Sequence, residues 1–193
     1  QGQEGACTGF ALASAITLMN RERHQKLIPQ QVPPIASARM LYEMAKINDE
    51  WPGEAYEGSS IRGALKGFYH NGACSAKVAP YRDGDKNWFL RVEHAKDARN
   101  LGLGAYYRLR PEIIDYHAAL NEAGVLYVSA RIHRGWQRPP RGKIKPSHLT
   151  EGGHAFIIVA YDQDGFIIQN SWGEDWGGFN ERPGIAHWRY DDW

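Results

Sequence analysis

Between Phe10 and Met19 the chain reads Phe-Ala-Leu-Ala-Ser-Ala-Ile-Thr-Leu-Met, a run of helix formers that is apolar on nearly every face. A helix of this kind has no side to show to water, so the fold must bury it at the centre of a domain and the rest of the chain must wall it in. Directly before it stands Gly5-Ala6-Cys7-Thr8-Gly9, which puts a cysteine at the mouth of the helix. First-turn amides have no partner inside a helix and carry partial positive charge, a setting that favours thiolate over thiol. Cysteine is also one of the residue types most often simply buried. Cys7 therefore takes on a chemical reading only if the chain also holds a base and a group to orient it.

A chain of 193 residues with 42% hydrophobic content can bury a substantial core, and one compact unit over residues 1–193 is expected. Basic and acidic residues nearly cancel, 23 against 22, so the overall charge gives no case for nucleic acid or an anionic membrane as partner. No apolar run approaches the ~20 residues that span a bilayer, and the start carries no signal-peptide pattern. The abrupt start at Gln1 points to a piece of something longer, with an inhibitory propeptide or a whole domain upstream. Cys7 and Cys74 are the only cysteines, and a working thiol at Cys7 leaves Cys74 without a disulfide partner. That fits a cytoplasmic protein, or one delivered or secreted without disulfides. Seven tryptophans and ten tyrosines imply an aromatic-lined cleft or a core of large side chains.

Along the chain, the polar run Asn20 to Lys26 and the proline-rich Pro29 to Pro34 break the helical pattern and are expected to form a surface loop. Ser37 is placed to cap a second helix over Ala38 to Lys46, with Met40, Leu41, Met44 and Ala45 as its apolar face. After a loop from Asn48 to Glu57, Gly58-Ser59-Ser60 leads into a third helix carrying Ile61, Leu65 and Phe68, which Asn71-Gly72 ends. A fourth is expected somewhere between Trp88 and Ala98. Pro111 opens a fifth, Glu112 to Asn121, ending at Gly124. From there the character turns to β. Val125 to Ala130 has strand composition, and Ala155 to Tyr161, the turn Asp162-Gln163-Asp164-Gly165 and Phe166 to Gln169 read as a hairpin.

That hairpin supplies what Cys7 lacks. His154 stands just before its first strand and Asn170 at the end of its second, so the turn brings the two back together. An imidazole that takes a thiol proton on one nitrogen needs an acceptor to hold the other, and the Asn170 side-chain carbonyl can do so. The separation of Cys7 from His154 falls within the ~130–150 residues of one known cysteine-nucleophile arrangement.

Taken together, Gln1-Gly2, Gly5-Ala6-Cys7, Phe10-Ala11, Gly153-His154-Ala155 and Asn170-Ser171-Trp172-Gly173 resemble, in order, the landmarks of the papain family of cysteine peptidases. The resemblance extends over the whole chain. It implies an α+β fold of two lobes, a mainly helical one over 1–105 around a central buried helix and a mainly antiparallel β one over 106–193, with a cleft between. It also implies peptide hydrolysis through a thioester on Cys7, with His154 as proton carrier, Asn170 as orienter and Gln1 as oxyanion donor, and no metal or organic cofactor. Trp172 corresponds to the tryptophan that shields the His–Asn bond, and Trp176 to its aromatic neighbour.

Two positions depart from the pattern. Glu4 stands where the family usually has a disulfide cysteine, and Thr8 where it has a tryptophan. With Glu57 to Arg62 in place of a cysteine-rich loop, the chain resembles the disulfide-free bacterial branch. Gly58, Ser59 and Gly153 are candidates for lining the substrate side, against a plain helix-start turn for the first two. Arg131 to Lys145 carries Arg131, Arg134, Arg138, Arg141, Lys143 and Lys145 without an acid; a solvated loop is expected, with an acidic-substrate or nucleic-acid surface as the alternative. The partner is then a protein or peptide substrate. Two other functions stay open: acyl transfer or peptide ligation through the same thioester, and a catalytically dead peptide-binding module. The other histidines lack metal-pair spacing.

Overall fold

The computed structural model describes residues 1–27, 32–51 and 57–193. They divide into two compact units, Gln1–Arg108 and Leu109–Trp193. The first is helical, with α1 (Cys7–Leu27), α2 (Ala38–Ile47), α3 (Ile61–Asn71) and α4 (Val92–Ala98). α1 buries Ala11, Leu12, Ala13, Ala15 and Ile16. Gly9 brings it against α2, since a Cβ there would fall 2.4 Å from the Ala38 carbonyl oxygen. Gly67 does the same for α3, because a Cβ would sit 2.8 Å from Met44. The caps follow from serine chemistry. Ser37 Oγ accepts from the Met40 N–H at 3.1 Å, and Ser60 Oγ accepts from the Gly63 N–H at 3.0 Å. Gly72 closes α3 at φ 69°, a conformation that glycine adopts without steric cost.

One expectation for this unit is corrected. The run Asn20 to Lys26 does not break the helix, and α1 continues to Leu27 with Arg21, Glu22, Arg23, Gln25, Lys26 and Leu27 exposed. Polarity there marks a helix that has run past its core, and Arg, Glu, Gln and Lys are all good helix formers. α4 falls within the expected range of Trp88 to Ala98, starting at Val92. The His94 ring turns back to accept from the Arg91 N–H at 3.2 Å, and Trp88 stacks flat on that ring at 5.2 Å. Pro29, Gln30 and Gln31 of the expected proline-rich loop, and residues 52–56 of the expected loop from Asn48 to Glu57, lie outside the described residues.

The second unit opens with α5 (Ile113–Ala123), closed by Gly124 in the left-handed conformation. Six strands follow: β1 (Leu126–His133), β2 (Thr150–Tyr161), β3 (Gly165–Gln169), β4 (Gly177–Phe179), β5 (Arg182–Pro183) and β6 (Ile185–Arg189). β1, β2, β3 and β6 form one antiparallel sheet in that order, and β4 pairs with β5 in a small ribbon. The core packs Trp136, Phe156, Ile158, Phe166, Ile168, Trp176 and Trp188. With a helical unit and an antiparallel one, the fold class is α+β. One boundary differs from expectation. β2 starts at Thr150, so His154 lies within the strand, paired with Ala130 of β1, and not ahead of it. The two glycines before His154 weaken strand propensity, but β1 pairs Ile132 and Arg131 with Gly152 and Gly153 and carries the ladder past them.

Candidate active site

His154 is 5% exposed, held in β2 between β1 and β3. Gln169 of β3 pairs with Ile157, and Asn170, the next residue, leaves the strand within reach of the imidazole. His154 Nε2 donates to Asn170 Oδ1 at 2.6 Å, and the same oxygen accepts from the Ser171 N–H at 2.7 Å. Two donors converging on one atom identify it as the amide oxygen rather than the nitrogen. They also place the ring proton on Nε2, which leaves Nδ1 as the basic atom of the neutral ring. Burial pushes the His154 pKa below its ordinary 6.5, while the bond to Asn170 pulls the other way. Asn170 Nδ2 is buried and finds no partner among the described residues.

Trp172 lies over the imidazole with ring centroids 4.6 Å apart, and Trp176 meets Trp172 edge to face at 5.7 Å. Trp176 is 6% exposed, and its indole N–H donates to the Trp136 carbonyl at 2.7 Å. A depression of about 590 Å³ lies beside this cluster, lined by Gln137, Arg138, Pro139, Pro140, Trp172, Asp175, Trp176 and Gly177. The basic stretch, expected as a loop throughout, begins inside β1 at Arg131 and continues as a loop rooted by buried Trp136 and Ile144, with Arg131, Arg134, Arg138, Arg141, Lys143 and Lys145 all exposed. None of these six is in an ion pair among the described residues.

In the helical unit, Cys7 is the first residue of α1 and is partly buried. The Ala6 carbonyl accepts the first helical bond, from the Phe10 N–H at 3.1 Å. Gln1 Nε2 donates to the Glu4 carbonyl at 3.3 Å, which commits one amide hydrogen and orients the group. Glu4 is tied down in turn. Arg39, with 0% side-chain exposure, donates from Nη1 to Glu4 Oε1 at 2.9 Å and from Nη2 to Oε2 at 2.6 Å, a forked ion pair. Arg39 also donates to Glu43 at 2.9 Å and to the Arg82 carbonyl. The Tyr81 hydroxyl lies 2.8 Å from Glu4 Oε2 and 2.9 Å from the Gln1 carbonyl oxygen. The Asp83 carboxylate accepts from the Gln3 and Glu4 N–H groups at 3.0 and 3.1 Å. Despite partial burial, the bonds from Arg39 and Tyr81 hold the Glu4 carboxyl below its ordinary 4.5.

This network escaped the sequence reading. Arg39 falls between the apolar positions of α2 and reads as part of a solvated face, while Tyr81 and Asp83 sit in a stretch without periodicity. The only trace was Glu4 at a departure from the pattern. Thr8, the other departure, is 2% exposed, and its hydroxyl lies 2.6 Å from that of Ser59. Ser59 is thus tied to the first turn of α1, beside Gly58 at φ 133°. Gly153 is exposed in β2, and a Cβ there would meet no atom within 4 Å, so the chain's own packing does not demand glycine at that position.

Three further histidines of the second unit have structural partners. His117 stacks on Tyr161 at 4.0 Å, His133 pairs with Asp192 at 2.7 Å and His187 with Asp162 at 3.0 Å. Among the described residues no group of three or more His, Cys, Asp or Glu is arranged to hold a metal ion, and no helix is long and apolar enough to cross a membrane.

Comparison with known proteins adds four findings. The sequence model of the papain family of cysteine proteases matches residues 1–180. Xylellain, a cysteine protease from Xylella fastidiosa, superposes with a TM-score of 0.83 and 27% identity, over 99% of this chain and 75% of its own. Digestive procathepsin L 3 from the larval midgut of Tenebrio molitor shares the fold at a TM-score of 0.65 and 20% identity, over 96% of this chain and 58% of that one. A cathepsin B-like protein, CP2, of Giardia intestinalis is 40% identical over 65 residues, 31% of this chain but only 22% of that protein's length.

Proposed function

Since the chain belongs to the papain family of cysteine proteases, we propose that it is a cysteine peptidase that hydrolyses peptide bonds through a thioester on Cys7. The observation that carries the reading is the 2.6 Å bond from His154 Nε2 to Asn170 Oδ1 beneath Trp172, which leaves Nδ1 as the proton-accepting atom. A buried imidazole fixed in this tautomer suits a proton carrier, and a cysteine at a helix start suits a thiolate.

In the proposed cycle His154 Nδ1 takes the Cys7 proton and the thiolate adds to the substrate carbonyl carbon. The resulting oxyanion accepts from the Cys7 N–H and from Gln1 Nε2. Collapse expels the amine, which leaves with the proton from Nδ1, and the acyl group stays on sulfur. Water then gives a proton to Nδ1 and its oxygen to the acyl carbon, releasing the acid and restoring Cys7. Asn170 holds the ring throughout, and Trp172 with Trp176 keeps water from the bond that does so. Gly58, Ser59 and Gly153 are proposed to face the substrate backbone. The partner is a protein or peptide substrate. A propeptide is proposed as a regulatory partner, by analogy with the pro-form of the Tenebrio molitor relative.

The test is cleavage of a diverse peptide library by wild type and Cys7→Ala in parallel, read by product mass. Wild type is expected to release products with free carboxyl ends, and the variant none. Cleavage by Cys7→Ala in a preparation free of other proteases overturns the proposal.

A further inference from the structure

We propose that Glu4, Arg39, Tyr81 and Asp83 form a positioning clamp that holds the segment from Gln1 to Cys7 in the geometry needed to stabilise an oxyanion. The inference rests on the reading of Gln1 and Cys7 as the two oxyanion donors. Residues 1–6 belong to no helix or strand. Within the segment, the Ala6 N–H and Gln1 Nε2 both donate to the Glu4 carbonyl. Bonds of this local kind shape the segment but do not anchor it to the rest of the fold, which is the part played by the groups that grip it from outside.

The grip falls on three of its residues. Tyr81 reaches the Gln1 carbonyl, Asp83 takes the Gln3 and Glu4 N–H groups, and Arg39 takes the Glu4 carboxylate. Gly2 carries an independent mark of the same contact. Its φ is 68°, and a Cβ there would fall 2.2 Å from Asp83 Oδ2, so only glycine lets the segment lie so close to that carboxylate. Tyr81 also joins the segment to the helix that follows. Its ring meets Phe10 of α1 edge to face at 4.6 Å and lies under the Arg39 guanidinium at 4.5 Å. The Gln1 carbonyl and the first turn of α1 are thereby referred to one side chain.

The physical demand for such a device follows from the chemistry. Oxyanion donors act over a window of about 2.7–3.1 Å, and a misplacement of about 1 Å can cost roughly 10²-fold in rate. Arg39 suits the task because a fully buried guanidinium must stay paired, and its rigid fork fixes direction as well as distance.

The test separates oxyanion geometry from thiolate supply. Wild type, Glu4→Gln and Tyr81→Phe are compared on a peptide that the wild type cleaves, under conditions where circular dichroism shows each protein folded. Cys7 alkylation by iodoacetamide, a displacement at carbon that forms no oxyanion, is measured alongside. For Glu4→Gln, kcat is expected to fall about tenfold or more with KM and the alkylation rate within about twofold of wild type; Tyr81→Phe is expected to show a smaller fall of the same kind. Unchanged kcat in both variants overturns the clamp while leaving the peptidase reading intact. Loss of kcat and alkylation together also overturns it, since the network would then serve the fold or the thiolate instead. No turnover by wild type on any peptide overturns the peptidase reading, and the clamp's catalytic role with it.

Discussion

Arg39 grips Glu4 through two parallel contacts of 2.9 and 2.6 Å with its guanidinium wholly withdrawn from water, and it serves Glu43 from the same fork. Removing Arg39 therefore takes the buried cation from two carboxylates, leaving Glu4 with the Tyr81 hydroxyl and Glu43 with the half-exposed Lys46. Arg39→Met is expected to cost about 3 kcal/mol or more in urea denaturation, and Glu4→Gln less, because Glu43 still pairs the arginine. An Arg39→Met variant as stable as wild type would contradict this.

Acid should act on the same pair. The Glu4 carboxyl is held below its ordinary value of 4.5, so its contribution is complete above that value and fades as pH falls through the lower, folded one. Wild type is accordingly expected to lose stability more steeply than Glu4→Gln as pH drops below 4.5. Depressed carboxyls away from this segment, such as Asp115 and Asp191, titrate alike in both proteins and cancel in the comparison. Parallel urea midpoints across the acid range decide the point.

Burial lowers the His154 pKa, whereas a thiolate on Cys7 acting as proposed would raise it. The ring is therefore expected to titrate at lower pH in Cys7→Ala than in wild type. The Cε1–H resonance of His154, followed by NMR over a pH series in both proteins, measures the difference. Equal titration in the two would argue against a thiolate–imidazolium pair.

Trp172 covers the imidazole at 4.6 Å. Trp172→Ala is expected to admit water to the His154–Asn170 bond and, if His154 carries the proton as proposed, to lower kcat/KM by about tenfold to 10²-fold. Trp172→Phe retains an aromatic cover and should lose less. The ratio of the two values, from initial rates on one peptide, is the measurement.

Cys74 is fully buried, and burial pushes its thiol up to about 11. Folded protein at near-neutral pH should therefore take one iodoacetamide label, on Cys7, and a second only after denaturation. Intact mass before and after urea shows this directly.

Much of the helical unit was legible because its signals are local. Ser37 and Ser60 cap α2 and α3 through bonds within three residues, and Gly72 stops α3 by its own backbone preference. The hairpin was equally plain, since Asp162 to Gly165 is turn chemistry between two β-branched runs, and it placed Asn170 against His154 before any coordinate did. What stayed hidden depends on distant partners or on burial. The extension of α1 to Leu27 looked like a loop because polar helix and polar loop share a composition. The pairing of Glu4 with Arg39 and Tyr81 spans unrelated stretches of chain, and no spacing rule ties them.

The bond from the Trp176 indole to the Trp136 carbonyl divides the basic loop into parts with different freedom to diverge. Its root is sealed into the core beside the aromatic cover of His154, so drift at Trp136 is felt at that ring. Its tip presents Arg134 and Arg141 to solvent, where one charge can be exchanged for another away from that cover. Descendants of this chain can thus retune the charge of the loop while inheriting the same packing around His154.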